Sequence, residues 1–376
     1  MKNPYRDIFL LVVKNALDKQ SQDGSMAAGH NGPYYDPETP VRNTSHWVIT
    51  FAKAYKLTND SVFQIACRRA LDYLYYNKEF RNGFTFKHRE KKGKDEVNGV
   101  IGPAWNIEAL IEGYQIFNDV KYLNLAKELF NMIPFDYNSG LWKRRLYDGS
   151  IGHIDFTFNH QLWFCASGCM LFSITKNMDL KKKILRFSQM LNSNLRIHPS
   201  GLIKHGIRNK LTYGQKTKNL IRPLHELYIK VWKGKSYLYK EEGYHLFNLY
   251  AFGLIKEYGF ELPFYKSRRF ERMLNLAFDE RFQKAIELNK DSSDISKIIK
   301  DDSIKVNRYC YSYNAAGFEM PFIQKIFMAD KEKNALAIFN KQLHFTYNFA
   351  EFTFDQNSDD PVTLTSRIYE LSRIFK

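Results

Sequence analysis

Apolar residues recur at three- and four-residue intervals along most of the chain, the spacing of one buried face of an α-helix. The pattern predicts twelve helices, over 5–20, 44–57, 61–77, 103–117, 120–132, 160–174, 179–192, 243–258, 267–288, 314–328, 331–347 and 361–375. Start signals accompany several of them: Asn43 or Thr44 ahead of the second, Asn159 ahead of the sixth, and Asp360 followed by Pro361 at the last. Between the helices lie polar loops, some carrying a short alternating pattern.

The loops and helix starts repeat. Trp47, Trp105 and Trp163 stand 58 residues apart, each expected in the first turn of an even-numbered helix. Extended segments of like design precede the loops, at 83–89, 140–144 and 201–205; each opens on Gly plus an apolar residue and reaches a basic cluster. A further alternation, Ile154, Phe156 and Phe158, reads as a strand that would set Asp155, Thr157 and Asn159 on one face. A lone helix pair cannot bury its apolar stripe, so such repeats must stack or close into a ring. The expected architecture is an all-α toroid of six helix pairs with short β-hairpins on one loop face. It forms a single domain over 1–376.

Composition supports a large core: of 376 residues, 44% are hydrophobic and 16% aromatic. The formal net charge is +16, which favours an anionic partner. The excess is concentrated at 196–240, where eleven Lys/Arg face one acid, Glu226. That run reads either as a solvated loop or as the basic lip of a site. Four cysteines (Cys67, Cys165, Cys169 and Cys310) are too few for a disulfide framework. Cys165 and Cys169, four apart on an apolar face, read as core. No CxxC pair is present, and neither a metal nor a cofactor is expected. The apolar run 8–13 is too short for a signal segment or a membrane span, so the expected location is cytoplasmic.

In layout the chain resembles the (α/α)6-toroid superfamily of carbohydrate-active proteins, which includes unsaturated glucuronyl hydrolases, sugar epimerases and toroid polysaccharide lyases. The resemblance implies that the even-numbered helices form an inner ring. It also implies that the loops before them line a saccharide cleft, around Trp47, Trp105, Trp163, Tyr244, Tyr313 and Thr363.

The loop chemistry fits that expectation. The segment 29–47 gathers His30, Asn31, Tyr35, Asp36, Glu38, Arg42, Asn43, His46 and Trp47, stiffened by three prolines. A second segment brings Asp155, Asn159 and His160 to the mouth of the sixth helix, and a third holds His88, Arg89, Asn98, Trp105 and Glu108. Glu108, if buried, needs a cation such as Arg89, Arg144 or Arg145. Glu242 and Tyr244 open the eighth helix, and Tyr313 precedes the tenth. Helix-start preferences and ordinary core packing account for some of these residues without any function.

Asp36, His46, Asp155 and His160 are the catalytic candidates; the others would bind substrate. Aromatic platforms suit pyranose faces, and Arg suits a uronate carboxylate. Two chemistries compete. Hydrolysis needs a carboxylic acid and a second group acting on water or the sugar. Elimination or C5 epimerisation needs an acid and a base beside the acidic C–H, with a cation on the carboxylate. The alternative to both is a non-catalytic glycan-binding toroid or scaffold. The expected partner is an acidic oligo- or polysaccharide, with a lipid-linked saccharide at an anionic, peripheral membrane surface as a variant. No nucleic-acid-binding module appears, and no aspartate-rich terpene-cyclase motif.

Overall fold

A computed structural model of the chain describes residues 3–30, 35–207, 238–287, 314–329 and 335–375. In chain order it holds α1 (Pro4–Leu17), α2 (Val41–Thr58), α3 (Ser61–Tyr76), α4 (Ile101–Phe117) and α5 (Val120–Met132). Then come strands β1 (Phe135–Asp136), β2 (Leu141–Arg145) and β3 (Ile151–Ile154), followed by α6 (Phe158–Thr175), α7 (Met178–Asn194) and α8 (Tyr239–Glu257). The last part contains α9 (Arg268–Ala277), α10 (Glu280–Glu287), α11 (Ala316–Phe327), α12 (Ala335–Thr346) and α13 (Pro361–Ser366), which runs into a 3-10 helix, Arg367–Ile374.

Six of these segments form a closed inner ring. Helix α2 packs on α4, α4 on α6, α6 on α8, α8 on α11, α11 on the 3-10 helix, and that helix back on α2. The remaining helices pack outside: α3, α5 and α7 against α2, α4 and α6, the pair α9 and α10 against α8, and α12 against α11. Helix α1 covers the seam between α2 and the 3-10 helix. This is the (α/α)6 toroid expected from the helix count.

Residue patterns explain which helix goes where. Inner α6 is buried continuously over Gln161–Leu171 because it faces the ring on one side and an outer helix on the other. Outer α7 buries only Leu180, Ile184, Phe187, Leu191 and Asn194, a stripe at three- and four-residue spacing. The turn from inner to outer helix repeats as well. Asn59, Asn118 and Lys176 are left-handed (φ 57°, 50° and 54°), and each is followed at once by an N-cap: Asp60, Asp119 and Asn177. The left-handed residue ends one helix and the capping oxygen starts the next.

Several local expectations are corrected. The ninth helix is interrupted at Phe278 and Asp279, giving α9 and α10. Helix α2 begins at Val41, so Asn43 and Thr44 lie inside it. The three tryptophans fall in the second turn of their helices, and all are buried. The strand ends at Ile154: Thr157 caps α6, Phe158 is already helical, and Asp155 points into the protein rather than sharing a strand face with Asn159. Of the short extended segments, 140–144 is true strand, in an antiparallel sheet β1-β2-β3 with Phe135 opposite Trp142 and Lys143 opposite Ile154. The others form single bridges, Arg81 with Phe86 and Ile197 with Ile203. Cys67, Cys165 and Cys169 are buried thiols.

The loops that enter the inner helices join edge to edge on one rim. Glu38 bridges Arg89, and Thr39 N–H donates to the His88 carbonyl. Val100 N–H donates to Asp155, and Thr157 bridges Gly206. His30 N–H donates to Asp360, joining the first loop to the last. Most of the basic run at 196–240 lies outside the described residues. No described helix is long and apolar enough to cross a membrane.

Candidate functional site

The best-organised group on the rim is built around Asp155, between β3 and α6. Its Oδ1 accepts from Thr157 N–H (3.1 Å); its Oδ2 accepts from Val100 N–H (3.0 Å) and lies 2.7 Å from His160 Nδ1. Burial alone would raise this acid, but His160, Arg144 and the Val100 N–H outweigh it and hold the carboxyl well below its usual range. The carboxylate can only accept, so His160 carries a proton on Nδ1. Its Nε2 has no hydrogen-bond partner among the described residues, and the side chain is 18% exposed. An imidazole held in one tautomer with its second nitrogen open is an acid/base group ready for use.

Gly99 makes room for this pair. Its φ is +63°, and a Cβ there would lie 1.9 Å from Asp155 Oδ2 and 2.6 Å from His160 Nδ1. Gly99→Ala is therefore expected to break the Asp155–His160 contact and cut turnover at least tenfold, at a stability cost of roughly 1–3 kcal/mol. Steady-state kinetics beside a urea melt would check this. An alanine variant with unchanged turnover would mean that the pair can shift freely.

A second histidine stands close by. Residues 205–207 run beside 156–158, with Phe158 N–H donating to the His205 carbonyl (2.9 Å) and Ile207 N–H to the Phe156 carbonyl (3.0 Å). The His205 ring lies 5.4 Å from that of Tyr244, and its Nδ1 is buried with no partner. Burial, then Lys240 and His160, push this imidazole well below its ordinary value. Glu241, which accepts from His205 N–H (3.2 Å) and pairs with His198 (2.5 Å), fixes the segment to the start of α8. Glu242 lies in the same first turn, half-buried. Asn159 is buried, with its Oδ1 unpartnered.

Toward the ring axis the groups are more tightly packed. Glu38 and Arg42 form a buried ion pair in which Arg42 Nη1 donates to both carboxylate oxygens (2.7 and 2.8 Å), and the guanidinium lies 5.3 Å from the Trp105 ring. His46 stacks on Tyr369 (4.2 Å) and meets Trp105 edge-on (5.5 Å), with Ser366 Oγ 3.4 Å from its Nδ1. Ser366 also donates to Asn43 (3.0 Å). Arg89 donates to Asn98. Farther round the rim, the His30 ring packs at a tilt on Tyr35 (4.7 Å), whose hydroxyl donates to Asp359 (3.0 Å). Burial raises the Asp359 carboxyl, and Asp360 reinforces the effect against Tyr35 and His30.

Three buried imidazoles are kept neutral. Burial lowers His88 to about 3 and His245 to about 4, and lowers His46 well below its ordinary value, with Arg42 and Arg367 adding repulsion. His245 must be neutral on geometry alone: its Nδ1 accepts from Ile203 N–H (3.3 Å), leaving Nε2–H to donate to the Met273 carbonyl (2.9 Å). Between about pH 6.5 and pH 4 the unfolded chain binds protons that the native state refuses, so stability rises with pH in this window and is lost on acidification. The expected slope is up to about 1.4 kcal/mol per pH unit for each histidine. Urea melts from pH 7 to 4.5 would measure it, and His245→Gln should remove one histidine's share.

The four catalytic candidates do not meet at one point. Asp155 and His160 pair, whereas buried Asp36 pairs with Lys94 and His46 packs on Tyr369 and Trp105. Trp47 is buried beside Phe51, and Trp163 is stacked between Phe247 (4.6 Å) and Tyr250 (5.7 Å). The partner of Glu108 is Arg373, not Arg89, Arg144 or Arg145; Arg373 also holds Glu112 (3.1 Å) and the Tyr258 hydroxyl (3.0 Å). Arg145 is tied to the carbonyls of Met132 (2.9 Å) and Gly149 (2.6 Å), bracing the β-hairpin. Asn31 and Tyr313 lie outside the described residues. His205 and Asp359 escaped the sequence reading: His205 only ended the extended segment 201–205, and at the last helix start only Asp360 was singled out.

Comparison with known proteins gives one relative across the whole chain. The chain is 32% identical over 377 residues to archaeal glycosylation protein Q of Haloferax volcanii, covering 98% of this chain and 96% of the relative. No protein-family model matches. Among solved structures, a D-mannose isomerase superposes with a TM-score of 0.65 at 12% identity, covering 100% of this chain and 98% of the other. Cellobiose 2-epimerase from Bacillus thermoamylovorans gives 0.59 at 13% identity, covering 98% and 99%. These likenesses establish the fold, that of (α/α)6-toroid carbohydrate-active enzymes.

Proposed function

Because the chain belongs to the family of the Haloferax volcanii glycosylation protein Q, we propose that it is a glycan-processing enzyme that moves a proton on a uronate-containing saccharide, with His160 as the acid/base. The observation that carries this reading is the Asp155–His160 pair, in which a buried carboxylate fixes the tautomer and leaves Nε2 open. In the proposed reaction Nε2 takes the C5 proton beside the uronate carboxylate, and the negative charge passes onto that carboxylate. Arg89, which donates to Asn98 beside the Gly99 that abuts the pair, supplies the cation that makes such an enolate-like state accessible. Return of a proton to the opposite face, from the Tyr244 hydroxyl, gives the C5 epimer; departure of the C4 substituent instead gives the unsaturated product. A D-mannose isomerase and a cellobiose 2-epimerase share the fold, which supports an isomerising reaction.

Hydrolysis is the second reading, favoured by one observation: Asp359 is a carboxyl raised by burial, as a general acid must be, with Asp360 beside it. The remaining carboxylates of the rim are engaged, Asp36 with Lys94, Glu38 with Arg42 and Asp155 with His160. The substrate context in this proposal is a saccharide under assembly, free or lipid-linked. Incubation with uronate oligosaccharides separates the cases. New absorbance from a conjugated enol ether marks elimination, new reducing ends mark hydrolysis, and a changed C5 configuration marks epimerisation. Saturable binding without any product would support the non-catalytic glycan-binding toroid and defeat the enzyme reading.

A further inference from the structure

A cavity of about 380 Å3 opens between the turn at 94–96 and the β2–β3 hairpin, lined by Lys94, Asp95, Glu96, Arg144, Tyr147 and His153 among others. Its acids are all occupied. Asp95 accepts from Val97 N–H (3.0 Å) and Gly99 N–H (2.8 Å), Glu96 pairs with Lys87 (2.9 Å), and Asp148 accepts from the N–H and hydroxyl of Ser150 (2.9 and 2.7 Å). Lys94 is drawn to the buried Asp36. Arg144 is different. Its nearest carboxylate is Asp95 at 3.6 Å, beyond a good hydrogen bond; its Nε is buried with no partner, and its side chain is 28% exposed. A guanidinium held at the wall of a cleft with unmet donors offers a planar fork to a carboxylate.

The cavity and the Asp155–His160 pair share a wall. The same turn that places Asp95 in the cavity ends at Gly99, whose α-carbon abuts Asp155 and His160. Arg144 is near enough to Asp155 to help depress it. We propose that the cavity is a subsite in which Arg144 receives the carboxylate of the sugar next to the one that reacts. This inference rests on the reading of the rim as a uronate-processing site. The three acids around the cavity repel a doubly charged group, so a carboxylate fits better here than a phosphate.

The test is calorimetric titration with tri-galacturonate and with its methyl ester. Wild type should bind the acid form roughly 10- to 100-fold more tightly, the worth of a hydrogen bond to a charged group. Arg144→Gln should lose most of this preference, keeping only the share owed to the cation on the reacting sugar, and Arg144→Lys, which keeps the charge and checks the fold, should retain more of it. Equal binding of both forms by wild type, a preference undiminished in Arg144→Gln, or displacement of the trimer by millimolar inorganic phosphate would overturn the proposal. His160→Asn separates it from the catalytic reading: that variant should keep the acid preference. If it also kept full turnover, the catalytic reading would fall while the subsite stood on binding.

Discussion

His160→Asn is expected to lower turnover of a uronate saccharide by roughly 10²- to 10⁴-fold, the usual contribution of a positioned acid/base. The amide nitrogen of Asn can still donate toward Asp155, so the buried carboxylate keeps a donor and stability should change by only about 0.5 kcal/mol. Asp155→Asn tests the same unit from the other side. It removes the acceptor that fixes the tautomer, frees the imidazole to turn, and should cost nearly as much turnover. The double variant should be little worse than either single one, because the two side chains act together. Additive losses would show that they do not.

Arg367→Met carries the largest expected effect on stability. Arg367 lies on the last inner segment and donates to Asn314 (3.1 Å), Glu319 (2.8 Å) and Glu370 (2.5 Å), with the Phe247 ring 4.8 Å away. It thereby ties α11 and α8 to the C-terminal helix, where the ring closes. Burial and mutual repulsion raise Glu319 well above its ordinary range; burial, opposed by Arg367, leaves Glu370 at about 7. Removing the one cation strands two buried acids, at an expected cost of about 3–5 kcal/mol. The sign of the pH dependence follows. In the variant both glutamates titrate above their unfolded value, so the native state binds more protons and the defect shrinks as pH falls. Urea melts at pH 8 and pH 5.5 would read both effects. Replacing Glu319 and Glu370 by Leu as well should return much of the lost stability; a triple variant as weak as Arg367→Met would assign the cluster some other role.

The fold was legible because every inner helix needs a long apolar run and every outer helix a stripe, and both periods are written in the sequence. The repeated turn at Asn59-Asp60, Asn118-Asp119 and Lys176-Asn177 was there as well, but its left-handed member is clear only from the backbone. The Asp155–His160 pair was partly legible: both residues were singled out, yet the strand assigned to 154–159 would have held them differently. Contacts between distant loops were not legible. Nothing local tells that Lys94 reaches Asp36, that Arg373 reaches Glu108, or that Asp359 meets Tyr35, since each pairing exists only after the ring closes. Buried charge was the hardest to foresee. Arg367 and Glu370, one turn apart near the C-terminus, carry no local sign of burial, yet both are buried on the last inner segment of the ring.

The most direct test is proton NMR of a uronate oligosaccharide incubated with the protein in D2O. Proton transfer at His160 predicts that the C5–H signal disappears as deuterium enters at that carbon, and that His160→Asn leaves the signal intact. New reducing ends with full retention of the C5 proton would contradict the account and shift the chemistry to Asp359.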